Sequence, residues 1–112
     1  MAGQTFDLTD DNKILSLRSP KASISGPYKV VFKNIEERWA IVAIDWDGEP
    51  RLAIRWFWGN GGNPFSSGNP TWLVIPSSLS NATLNGLPLD FKLYSKLVDF
   101  LAGKITGDQI YI

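Results

Sequence analysis

Arg38-Trp-Ala-Ile-Val-Ala-Ile-Asp-Trp46, then Asp47-Gly48, then Glu49-Pro-Arg-Leu-Ala-Ile-Arg-Trp-Phe-Trp58 is the stretch that decides the fold. Two runs rich in β-branched and aromatic residues flank Asp-Gly, a strong short-range signal for a β-hairpin. A two-residue turn sets Trp46 against Glu49, Ala43 against Leu52, Ile41 against Ile54 and Trp39 against Trp56. A three-residue loop closing on Gly48 with a bulge would flip the first strand relative to the second. In either register Leu52, Ile54, Trp56 and Trp58 share one side of the second strand, expected to be its core side. Arg51, Ala53, Arg55 and Phe57 share the other. Four of the five tryptophans and three of the four arginines fall in this hairpin.

Outward from it, Tyr28 to Ile35 reads as a strand, joined to the hairpin through a turn at Asn34-Ile35-Glu36-Glu37. Lys13 to Arg18 suits an edge strand or a short helix capped by Thr9, and Pro20 would stop it. Residues 1–12 are polar and expected to be loose. Residues 59–70, rich in Gly, Asn and Ser, are expected to form a long mobile loop. Thr71 to Ile75 reads as a further strand. Ser77 or Ser78 could cap a short helix through Ala82, and Asn85-Gly86 suggests a tight turn. Asp90 to Ala102 is the best helix, with Asp90 as N-cap, Gly103 as stop, and Phe91, Tyr94, Leu97, Val98 and Leu101 on one stripe. Leu93 and Phe100 widen that apolar arc. Gln109 to Ile112 could add an edge strand. Strands first and a main helix last predict a single α+β domain over residues 1–112. Its expected form is an antiparallel meander of four to five strands with the C-terminal helix on one face.

The chain has 112 residues, 44% apolar and 20% charged, with 11 basic and 11 acidic residues. One core is feasible at this size. Zero net charge removes the general attraction to nucleic acid or anionic membrane that a basic domain would have. The N-terminus is acidic and lacks an apolar run, so no secretory signal is expected, and no stretch approaches the ~18 apolar residues of a membrane helix. With no cysteine and no signal, a cytoplasmic location is expected, and the Asn81-Ala82-Thr83 sequon carries no weight.

Histidine and cysteine are both absent. That excludes Ser-His-Asp and Cys-His nucleophiles, zinc fingers and histidine-based metal sites. Asp45, Asp47 and Glu49 cluster at the hairpin tip, but Asp and Gly are what such turns prefer. Asp7, Asp10 and Asp11 lack the glycine and closing glutamate of a calcium loop. The Gly59 loop lacks the Gly-Lys-Ser/Thr ending of a phosphate loop and runs into a strand. No catalytic residue, metal site or cofactor is expected.

The aromatic–arginine side of the hairpin is too apolar for a plain solvent face and too charged for a core, and Trp and Arg are enriched where proteins dock. The expected function is a non-enzymatic binding module that acts by protein–protein contact or homodimerisation. Its expected contact residues are Arg38, Trp46, Arg51, Arg55, Phe57, Asn60, Asn63 and Phe65. The alternative is a carbohydrate or single-stranded nucleic-acid binder using the same aromatics. Nucleic acid is disfavoured because Asp45, Asp47 and Glu49 offset the arginines.

Overall fold

The computed structural model describes residues 6–58, 62–66 and 69–111, with only the backbone of 65, 66 and 69. Its centre is a four-stranded antiparallel sheet in the order β1 (Ile24–Asn34), β2 (Trp39–Trp46), β3 (Glu49–Trp56), β6 (Leu73–Ile75). A two-stranded ribbon, β4 (Phe65–Ser66) and β5 (Asn69–Pro70), stands apart from it. The helices are α1 (Asp11–Leu15), α2 (Ser77–Asn85) and α3 (Phe91–Leu101), followed by a 3-10 turn at Gly107–Gln109. This is the expected α+β meander with its long C-terminal helix on one face.

The two-residue turn sets the hairpin register: Trp46 opposes Glu49 and Trp39 opposes Trp56. Asp47 and Gly48 both have positive φ, 50° and 83°, the conformation of a hairpin turn whose twist matches its strands. Pro50 opposes Asp45, a position where the residue makes no ladder bond to β2, so its missing N–H costs nothing there. The register in β1 shifts twice, between Ser25 and Lys29 and between Val30 and Phe32. At the second shift Val31 is the extra residue, so Val31 and Phe32 both turn to the same side.

Each face of the sheet carries a core. On the helix face, Val31, Ile41, Ala43, Leu52, Leu84, Leu97, Phe100 and Ile110 form one core. On the opposite, strap face, Leu8, Ile14, Ile24, Ala40, Val42, Ile44, Ala53, Phe57 and Trp72 form a second. Three layers in so short a chain explain why β2 is buried on both sides from Ala40 to Ile44.

The strap was not expected. Residues 6–12 are held against the sheet rather than loose: Leu8 is buried, Lys33 Nζ donates to Leu8 O (2.9 Å) and pairs with Asp11 (2.6 Å), and Arg38 Nη2 donates to Phe6 O (2.6 Å). Helix α1 is capped by Asp10, one residue after Thr9. In α3, Asp90 accepts from Lys92 N as expected, but the buried arc centres on Leu97 and Phe100. Phe91 is two residues from Leu93, hence nearly opposite it on the helix, and is 80% exposed. Helix α2 runs to Asn85 with Pro76 at its N-cap position and no side-chain cap, so Gly86 ends a helix instead of forming a separate turn. Residues 107–109 form a 3-10 turn in place of the expected C-terminal strand. A capping box between Thr106 and Gln109 closes that turn (Thr106 N to Gln109 Oε1, 2.8 Å), and buried Gly107 lies on the Tyr28 ring.

Candidate docking surface

The structure divides the expected contact residues. Arg55 and Phe57 are 2% and 3% exposed. Phe57 packs in the strap-face core against Phe6 (centroids 4.7 Å apart) and edge-on to Trp72 (6.5 Å). The Arg55 guanidinium lies 5.4 Å from the Phe57 ring, and its Nη1 donates to Pro64 O and to Thr71 O (2.9 Å). Burial pulls its pKa down to about 10, still far above neutrality, so it is an internal cation at pH 7. Arg38 donates through Nε to Phe57 O (3.0 Å) as well as to Phe6 O. These side chains are clamps: a planar fork of donors suits the scattered carbonyls of irregular backbone. The strap face of the hairpin is thus covered by its own chain at Arg55 and Phe57. Trp46 and Arg51 remain half-buried near the turn, with Arg51 Nη1 on Pro50 O (2.8 Å).

Asn63 is exposed and exchanges two backbone hydrogen bonds with Trp56 (2.7 and 2.9 Å). Gly62 sits at φ 66°, where an added Cβ would meet Trp56 O and the Arg55 guanidinium, so only glycine fits. Its N–H donates to Trp58 O (3.0 Å). Phe65 contributes backbone to β4, and Asn60 lies outside the described residues.

The accessible aromatics lie elsewhere. Helix α3 has 11 residues and is about 16 Å long. The eight residues of β2 span about 26 Å. The end of α3 and the segment after it reach the hairpin tip, where Phe100, Gly103, Ile105 and Thr106 line a cleft with Asp45, Gly48 and Pro50. The other end of the helix face is left partly open. There Trp39 and Trp56 stand directly opposite each other, with Phe32 5.5 Å from Trp39 between ring centroids. Ile54 and Leu73 pair beside them, all five partly or largely exposed. Trp58, expected on the core side, is 58% exposed: β3 ends at Trp56, and Phe57 N turns back to Arg38 O (2.8 Å), so strand alternation no longer applies.

The electrostatics of this aromatic shelf are one-sided. Glu37 Oε1 accepts from the Trp39 indole (3.0 Å), which brings its carboxylate to the edge of the shelf, next to exposed Glu36. The cations nearest in sequence, Lys33 and Arg38, are engaged on the strap face.

The tip carboxylates do not converge. Asp45 belongs to the helix face and Glu49, opposite Trp46, to the strap face, while Asp47 is taken up in the turn. Among the described residues no group of three acidic side chains could hold a metal ion. Asp45 Oδ2 accepts from the Tyr28 hydroxyl at 2.6 Å. Burial first, then the Asp45 hydrogen bond and charge, push the Tyr28 pKa up to about 12. A raised folded-state pKa means the stabilisation is complete below the ordinary tyrosine value of 10 and is lost as pH rises through 12. A titration at 295 nm should therefore show a tyrosine ionising near pH 12. Tyr28→Phe should lack that step and lose less stability than wild type between pH 10 and 12. Identical curves would remove Tyr28 from that role.

No family model, characterised protein or solved structure gives a significant match to this chain.

Proposed function

We propose that this chain is a non-enzymatic binding module that docks a segment of a protein partner on the Trp39–Trp56 shelf. The observation that carries the reading is the cross-strand tryptophan pair left partly exposed at the open end of the helix face. Indole offers large, rigid area at little entropic cost, and tryptophan dominates docking hot spots. Glu36 and Glu37 beside the shelf favour a segment that combines arginine or lysine with an apolar or aromatic residue, since a cation stacks on indole and pairs with carboxylate. Nucleic acid fits less well, because Arg38 and Arg55 donate to backbone carbonyls and the nearby exposed charge is acidic.

Selection from a displayed random-peptide library tests this. Wild type should enrich segments of that composition. Trp39→Ser/Trp56→Ser should bind the enriched peptides at least about 30-fold more weakly, the size of one hot-spot tryptophan. Equal binding by the double variant, with an unchanged circular dichroism spectrum, would overturn the reading.

A further inference from the structure

We infer that the segment the shelf receives is the outer face of α3 on a second copy of this chain, so that copies associate head to tail. The inference rests on the docking role of the shelf and names its partner. The chemistry the shelf calls for is displayed on the chain itself. Phe91, Lys92, Ser95, Lys96 and Asp99 line an open groove of about 370 Å³ on the side of α3 away from the sheet. Phe91 is 80% exposed and Tyr111 69% exposed, and Lys96 Nζ lies 5.8 Å from the Tyr111 ring. Two aromatics and two ammonium groups thus form one patch, with Asp99 the acidic group among the groove's lining residues.

Shelf and groove complement each other. Glu37 at the edge of Trp39, with exposed Glu36 preceding it in the chain, matches Lys92 and Lys96, which line the groove with Phe91. The rings on both sides supply apolar area that neither copy covers for itself. Zero net charge leaves no general repulsion between copies. Because the two patches are different surfaces, a copy engaged through its shelf still offers its groove. Such an interface is heterologous and builds closed rings or open chains, where a self-complementary patch would stop at dimers. Exposed ion pairs within it are screened by salt, so association weakens as ionic strength rises.

Sedimentation equilibrium of the full chain tests the inference. At low salt, wild type should show a mass that climbs with concentration past the dimer, with Kd on the order of 10–100 µM for a patch of this kind. Glu36→Lys/Glu37→Lys and Lys92→Glu/Lys96→Glu should each weaken association at least tenfold. Placing all four substitutions in one chain should restore it, because the charges are then exchanged across the same interface. That rescue cannot come from misfolding. A wild type monomeric at 1 mM, on the order of ten times the weakest Kd expected, would overturn the head-to-tail inference. So would charge-reversed pairs that associate like wild type, or a fourfold variant no better than either pair. If wild type is monomeric and Trp39→Ser/Trp56→Ser still loses the library peptides, self-association fails alone and the docking shelf stands. If association persists in the tryptophan variant, the head-to-tail inference fails, and the shelf reading stands or falls with the library peptides.

Discussion

Arg55→Ala is expected to lower the stability of the domain by about 4 kcal/mol, a large share of what a chain of this size possesses. Arg55 is 2% exposed and donates to the carbonyls of Pro64 and Thr71, which belong to the segment running from Gly62 to β6. Leaving these part-buried carbonyls without their donors costs about 1 kcal/mol or more each. Loss of the aliphatic stem and of the contact with Phe57 adds a packing term. The cation is itself disfavoured by burial, which offsets part of this. Arg55→Met separates the contributions: it keeps stem volume, removes the donors and removes the buried charge. It should therefore keep most of the loss, falling short of alanine only by the packing of the stem. Urea melts followed by far-ultraviolet circular dichroism read both differences. A Met variant close to wild type, or a loss below about 1 kcal/mol for Ala, would show that the guanidinium does not hold the loop.

Gly107→Ala is expected to cost about 3 kcal/mol, toward the upper end of what overpacking a core does. An added Cβ would fall within the Tyr28 ring, whose hydroxyl is tied to Asp45 and whose edge meets Phe100 (centroids 6.2 Å apart). The ring cannot yield without giving up that hydrogen bond, and the 3-10 turn cannot lift without exposing Ile110, which is buried beneath it. In a Tyr28→Ala background the obstacle is gone, so adding Gly107→Ala should then cost under about 1 kcal/mol. Additive losses in that double-mutant cycle would place the clash elsewhere.

The hairpin was legible because its information is local. Asp47-Gly48 fixes the turn, the turn fixes the register, and the register sets Trp39 against Trp56. Helix α3 was legible for the same reason, from Asp90 at one end to Gly103 at the other. The strap was not, since nothing in Phe6 to Leu17 announces that it will cross the sheet. Its anchors, Lys33 and Arg38, are 22 or more residues away in sequence. This second layer made the arginine side of β3, from Ala53 to Phe57, an interior, and left Arg51 half-buried near the turn. The two sides of the hairpin were correctly separated, but which one water reaches depends on coverage by distant segments. One clue to the shelf did stand in the sequence: a helix of 11 residues cannot roof strands of eight, because helical rise is less than half of strand rise.

The clamps Lys33, Arg38 and Arg55 share a property with consequences for how this protein can change. Among the described residues they donate, apart from Lys33 to Asp11, to main-chain carbonyls, those of Phe6, Leu8, Thr9, Phe57, Pro64 and Thr71. A carbonyl is the same whatever side chain its residue carries. The attachment is therefore indifferent to the identity of the attached residues, except where a side chain is itself buried, as Leu8 is. An exposed position such as Asn63 is free to diverge, or to receive a grafted residue, while the backbone stays fastened.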